Sequence, residues 1–204
     1  VNNKELLENH ERYLEKLNLY KEYGYDIERE RNFILEQAKP ISGKILEAGA
    51  GKGHFSQVLA QQGYSFVAFD LSPEELHFAE LNLAYYGLEK FVQFQIENAE
   101  HTSFADKSFD VIFSVNTIHH LSNPYKVIDE LVRLLRPNGK LVLADFTEEG
   151  FRIIRQLHER DGKTHEEGQV TLAEVEVYLA KKDFSIKKAQ GVCQQVVLAG
   201  KAQA

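Results

Sequence analysis

The 204-residue chain contains no methionine and a single cysteine, Cys193. One thiol cannot form an internal disulfide, which is compatible with a reducing compartment. No apolar run approaches the ~20 residues that a membrane helix requires. The first residues are polar and charged, without the apolar centre of a signal peptide, so a cytoplasmic location is expected. An excess of positive charge is missing too, because the formal net charge is −7. Binding to a nucleic-acid backbone needs a clustered positive surface, so nucleic acid is not the expected partner. Hydrophobic residues make up 43% and charged residues 27%, the balance of an ordinary globular protein.

What the chain does have is a row of glycines between two apolar segments. Lys44–Ala48 reads as a strand. Gly49-Ala50-Gly51-Lys52-Gly53 follows, and then a helical pattern from His54. Glycines there let the backbone approach a ligand, and the helix start presents free N–H groups. A second strand, Tyr64–Phe69, ends on Asp70. An acid about 20 residues beyond the turn can accept from two ribose hydroxyls, so these residues together read as a nucleoside-cofactor site. The dinucleotide pattern G-x-G-x-x-G needs glycine where this chain has His54, which argues against a nicotinamide dehydrogenase.

Around this centre, apolar spacing predicts an amphipathic helix over 2–22, a break at Gly24 and a helix over 26–38 capped by Asp26. Strands and helices then alternate. Ser72-Pro73-Glu74-Glu75 and Thr171-x-x-Glu174 read as capping boxes, and Asn123-Pro124 as a cap. Arg136–Gly139 reads as a turn before the strand 140–146, and 184–189 with 192–199 as an antiparallel hairpin at the sheet edge. Residues 147–170 show no clear pattern. The fold class expected is α/β, a doubly wound and mostly parallel seven-stranded sheet with an antiparallel last strand and N-terminal helices. One domain is expected over 1–204, with 1–40 a helical lid and 41–204 the core.

The ordered set Glu47-x-Gly49-x-Gly51-x-Gly53, Asp70, Asn98-Ala99-Glu100, Ser108–Ile112, His119-His120-Leu121 and Leu135–Lys140 resembles the methyltransferase-11 group of class I S-adenosylmethionine-dependent methyltransferases. The resemblance is strong over about 40–146. It implies S-adenosylmethionine as cofactor. The backbone of Gly49, Ala50, Gly51 and Gly53 would lie along its methionine part, with Glu47 supporting the loop. Asp70 would take the ribose. Leu71, Ala99 and Asn98 would surround the adenine, where the group often has Asp in place of Asn98. Asn116 would hold the methionine amino end. Tyr20 and Tyr25 of the lid are the expected further contacts.

For the acceptor, His119 and His120 are the candidate bases, since histidine titrates near neutrality. A metal is the lesser reading, with His158, His165 and His119 or His120 as ligands, because their spacing matches no tight ligand motif. The Asp/Asn-Pro-Pro-aromatic motif of nucleobase amine methylation is lacking after the fourth strand, so a small-molecule acceptor is expected. The competing reading is a protein that keeps the fold to bind the cofactor or a partner without turnover. Acceptor atom and oligomeric state are left open.

Overall fold

The computed structural model describes residues 3–164, 168 and 170–201. Two helices come first, α1 (Asn3–Glu22) and α2 (Ile27–Ala38). Then follow β1 (Ile45–Ala48), α3 (His54–Gln61), β2 (Phe66–Asp70), α4 (Pro73–Tyr85), β3 (Val92–Ile96) and β4 (Phe109–Val115). The chain closes with α5 (Pro124–Leu134), β5 (Leu135–Phe146), α6 (Glu148–Arg160), α7 (Leu172–Ala180), β6 (Phe184–Gln190) and β7 (Gln194–Lys201). The seven strands form one sheet in the order β3-β2-β1-β4-β5-β7-β6. All neighbours are parallel except β7, which runs antiparallel to both β5 and β6. The expected doubly wound sheet is therefore the one observed. No helix among the described residues is long and apolar enough to cross a membrane.

Period-two alternation divides the strand residues between two faces. Ile45, Val111, Phe113, Val142 and Ala144 pack with Ile34, Leu35, Phe55, Leu59 and Leu83 on the side of α2, α3 and α4. Leu46, Ile112, Leu141 and Leu143 pack with Val127, Leu131, Val175 and Leu179 on the side of α5 and α7. A third cluster joins Tyr25 and Ile27 to Phe146, Ile153, Ile154 and Leu157 of α6. Strand order reverses at β1, which has β2 on one side and β4 on the other. In such sheets the crevice for ligands opens at that reversal, beyond the strand C-termini.

Several local expectations are corrected. Residues 148–160 form α6, not an irregular segment; Thr147 caps it by accepting from Gly150 N (3.1 Å), and Ile153, Ile154 and Leu157 give it a buried stripe. Arg136–Gly139 lies within the twelve-residue β5 as a register shift, because Phe109 pairs with Leu135 but Val111 with Lys140. Ser72 does cap α4, accepting from Glu75 N (3.2 Å), but the Glu75 carboxylate turns to Lys52 (3.7 Å), so no reciprocal box forms. Asn123 makes no side-chain cap; its amide donates to Glu100 (2.8 Å). The Thr171–Glu174 box and the Asp26 cap form as expected.

Beneath the loop that follows β3, Glu130 of α5 accepts from Thr102 N and Thr102 Oγ1 (both 2.7 Å) and from Arg133 (2.7 Å). The Arg133 guanidinium, helped by Thr102, holds this carboxyl down to about 2. A depressed acid stabilises the fold fully above its unfolded value of 4.5 and loses that contribution as pH falls toward about 2. Glu130→Ala should lower stability at pH 7 by roughly 1–3 kcal/mol, since it strands a buried N–H and hydroxyl. Urea melts of both proteins should converge as the pH is taken from 5 to 3.

Candidate active site

Beyond the C-terminal ends of β1, β2, β4 and β5 lies a cavity of about 710 Å³, within the ~300–1,000 Å³ typical of small-molecule sites. Its floor is the glycine turn. The amides of Gly49 and Ala50 both donate to the Phe69 carbonyl (2.9 Å each), which folds the end of β1 against β2. Gly49 has φ +78°, and a Cβ there would lie 2.6 Å from Thr117 Oγ1. A Cβ on Gly53 would lie 2.9 Å from Ala79 Cβ, so that glycine sets how closely α3 meets α4. Gly51 differs: its Cβ would meet only Glu75 Oε2, at 3.9 Å, leaving the loop backbone open toward the cavity.

Asp70 is bound into the same turn. One carboxylate oxygen accepts from Gly51 N (2.8 Å) and the other from Ser72 N (3.0 Å). Leu71 beside it is 66% exposed on the cavity wall, and Asn98, Ala99 and Glu100 continue that wall from β3. The Asn98 side-chain oxygen accepts from Glu100 N (2.9 Å), so it closes a turn of its own loop. Glu47 lies under the floor, 2% exposed, and accepts from Ser56 Oγ (2.5 Å). Burial pushes its carboxyl up to about 8, against the pull of the Ser56 bond and of Arg31.

The second wall comes from the N-terminal helices. Tyr25, 1% exposed, is the hub of a buried polar group: its hydroxyl accepts from Arg31 Nη1 (3.0 Å) and Gln194 Nε2 (3.1 Å). Asn116, at φ +53° at the tip of β4, joins them. Its amide is best oriented with the oxygen accepting from Arg31 (2.9 and 3.1 Å) and the nitrogen donating to Gln194 Oε1 (2.8 Å). Tyr20 lines the cavity from α1, its hydroxyl pushed up to about 12 mainly by burial.

The third wall carries the histidines. His119 and His120 form a short 3-10 turn after β4. His119 Nδ1 lies 2.6 Å from Asp145 Oδ1 at the end of β5, and both side chains are 4% exposed. Asp145 also accepts from the backbone of His119 (3.2 Å) and Phe146 (2.9 Å), so the carboxylate fixes the ring rather than swinging free. His120 packs against His119 with ring centres 4.0 Å apart, and burial, with its neighbour, lowers its basicity. His158 reaches the cavity from α6, next to Ile154. His165 lies outside the described residues, among which no group of three metal-ligating side chains forms.

The cavity thus brings together Glu47, Gly49, Ala50, Gly51, Asp70, Leu71, Asn98, Ala99, Asn116, Tyr20, Tyr25, His119, His120 and His158, while Gly53 stands behind the loop. It also recruits three cationic or titratable groups that sequence reasoning missed: Lys16, Arg31 and His54. The signal was present in their spacing. Arg31 falls on the α2 stripe of Ile27, Ile34, Leu35 and Ala38, and Lys16 on the α1 stripe of Tyr13, Leu17 and Tyr20. A charge on an apolar stripe is out of place unless something inside receives it.

The family model described as a methyltransferase domain matches residues 46–143, from β1 through β5. Among curated relatives, the methyltransferase GfsG of Streptomyces halstedii is 33% identical over 108 residues, covering 52% of this chain and 39% of that one. The ubiquinone biosynthesis O-methyltransferase of Xanthomonas oryzae pv. oryzae is 27% identical over 173 residues, 79% of this chain and 70% of that one. The chain spans under half the length of the curated relatives it matches at 33–34% identity. Among solved structures, the glycopeptide N-methyltransferase MtfA superposes with a TM-score of 0.70 at 18% identity, over 88% of this chain and 92% of that one.

The protonation of Glu47 can be tested apart from any ligand. A buried acid raised from 4.5 to about 8 stabilises the fold below pH 4.5, and that contribution is lost as pH rises through 8. Glu47→Gln removes the titration while keeping the shape. Its melting temperature should match the wild type near pH 5 and exceed it by a growing margin up to pH 8–9; parallel melting curves across that range would contradict the assignment.

Proposed function

We propose that this chain, which belongs to the class I methyltransferase family, transfers a methyl group from S-adenosylmethionine to a small-molecule acceptor. One observation carries the reading: the acid at the tip of β2 and the open glycine turn of β1 are a single hydrogen-bonded unit, through Asp70 and Gly51 N, at the reversal of strand order. An acid and an accessible backbone held in fixed relation suit a ribose and the chain attached to it. The residues present fit the cofactor. Gly51 leaves room for close approach, Asp70 keeps lone pairs for ribose hydroxyls, and exposed Leu71 with Ala99 and Asn98 offers a flat wall for adenine. When bound, S-adenosylmethionine supplies a methyl group made electrophilic by its sulfonium.

The protein's own part is to place the acceptor, exclude water and take a proton. The acceptor would lie between Tyr20, Phe146, Ile154 and the histidine turn, a mixed apolar and polar surface suited to a small organic molecule. His119 is the base in this reading. With Nδ1 donating to Asp145, the tautomer is set and Nε2 is the nitrogen that takes a proton. Asp145 acts as its positioning residue and stabilises the imidazolium. His120, kept neutral by burial, flanks the acceptor. We place α1 as the lid over this site, with Tyr20 its contact, and the protein in the cytoplasm, where its lone buried Cys193 stays reduced.

Calorimetric titration with S-adenosylmethionine and S-adenosylhomocysteine tests the cofactor. Wild type should bind both and Asp70→Ala neither; a folded wild type that binds neither overturns the proposal. Once an acceptor is found by transfer of labelled methyl, His119→Ala should lower kcat by roughly 100-fold or more with little change in KM.

A further inference from the structure

The cavity wall beside Leu71 offers a nucleobase an unusual hydrogen-bonding edge. Three carboxylate or amide side chains of the loop after β3 border the cavity there: Glu97, Asn98 and Glu100. Both carboxylates are turned onto protein donors. Glu97 accepts from the backbone N–H of Ser103 (3.1 Å) and from its hydroxyl. Glu100 accepts from Asn123 Nδ2 (2.8 Å) and Lys126 Nζ (3.0 Å), which hold its carboxyl below the usual carboxylate range. Asn98 Oδ1 accepts from Glu100 N (2.9 Å). Because that partner is a backbone N–H, the amide has one orientation only; turned over, it would set its NH2 against the N–H. The loop is held on the far side as well. His101 N donates to the Asn98 carbonyl (2.9 Å), and Glu130 clamps Thr102 by its N–H and its hydroxyl (both 2.7 Å). The exposed Asn98 side chain therefore presents Nδ2, a donor, on the cavity wall, and among the described residues that nitrogen has no partner.

We propose that Asn98 makes the base-binding edge of this site a donor edge, so that the 6-amino group of the cofactor's purine goes unread and a 6-oxopurine is bound about as well as adenine. The inference rests on the cofactor reading above and deepens it. A 6-amino group is a hydrogen-bond donor and would meet another donor in Asn98 Nδ2. Adenine can present its ring N1 to that donor instead, but its amino group then points past the loop without an acceptor. In a 6-oxopurine the carbonyl takes the hydrogen directly. An acid at this position would act in the opposite sense. One oxygen could keep the bond to Glu100 N while the other accepts from the amino group, with the strength of a charged partner, and repels a carbonyl. Asn at 98 is thus a choice of base and not only of affinity. The remaining nucleoside contacts are the acid Asp70 and the exposed Leu71, and neither senses position 6 of the ring. Deamination of the cofactor's purine, the class of reaction that turns one base into the other, would leave a ligand this site still holds.

The experiment is calorimetry of wild type and Asn98→Asp with two probes, S-adenosylhomocysteine and its 6-oxo counterpart, S-inosylhomocysteine. Asp keeps an oxygen that can accept from Glu100 N, so the variant retains the turn, and far-UV circular dichroism checks that it folds. Wild type should bind the two probes with dissociation constants within about fivefold of each other. Asn98→Asp should tighten S-adenosylhomocysteine and weaken S-inosylhomocysteine, moving their ratio by roughly 30-fold or more toward the adenine ligand. A wild-type preference for S-adenosylhomocysteine well above about fivefold would overturn the inference, showing that another group accepts from the 6-amino group. An unchanged ratio in Asn98→Asp would overturn it as well, leaving Asn98 a turn residue only. Wild type binding neither probe removes the cofactor reading and this inference together, whereas binding of S-adenosylhomocysteine alone removes only the inference.

Discussion

A single carbonyl organises this molecule. Phe69 O receives the amides of both Gly49 and Ala50, so the last residue of β1 must turn sharply at the point where β1 parts from β4. That turn forces Gly49 against Thr117 and starts α3 at Gly53 against Ala79. It also delivers Gly51 N to Asp70, the residue next to the accepting carbonyl. Floor, acid and helix start are therefore not separate features that evolved to be near each other in space. They follow from one backbone constraint, and a side chain at Gly49 or Gly53 would break the packing before it touched a ligand.

The same region shows where stability yields to the site. A core designed only to fold would not bury Glu47, Arg31 and the ring nitrogens of His54 around one cavity. Glu47 escapes the full cost by keeping its proton and bonding Ser56. Arg31 cannot lose its charge and instead recruits neutral oxygens. The contrast with Glu130 is instructive. There Arg133 and Thr102 satisfy the carboxylate completely, so that group is a structural brace away from the cavity, whereas the cavity's charges are left with unused donors.

How much of this was legible in the sequence varies by residue. The glycine turn, Asp70 and the alternation of strand and helix are local signals, and they led to the correct sheet. The α6 stripe of Ile153, Ile154 and Leu157 is equally local but was masked by the surrounding charges and histidines of 147–170. Other features depend on partners distant in sequence. Asn123 is a good cap by composition, but Glu100 competes for its amide; Glu75 is in register for a box, but Lys52 draws it away. Arg136–Gly139 has turn chemistry, yet the neighbouring β4 draws the segment into the sheet as a bulge. Asp145 pairs with His119 only because β4 and β5 are adjacent and in register, a fact no spacing reveals.

The two N-terminal helices, expected together as one lid, differ in how they are attached. Ile34, Leu35 and Ala38 of α2 are wholly buried in the main core, so α2 can leave only if the fold unravels. In α1 the only buried residue is Asn9, which donates to Asn82, whose amide in turn reaches the carbonyl of Lys52 in the glycine turn (2.8 Å each). Tyr13 bonds Gln57 (3.0 Å), Glu5 meets His77 (2.7 Å), and His10 stacks on Tyr85. Beside these polar and edge contacts, Leu17, Leu19 and Tyr20 pack half-buried against the cluster around Tyr25 and Phe146, so α1 is held by a smaller apolar surface than α2. Gly24, at φ +96°, joins the two helices and suits a hinge. Of the two helices α1 is thus the better fit to the lid proposed above, and it is joined through Asn82 to the loop on which the cofactor is proposed to lie.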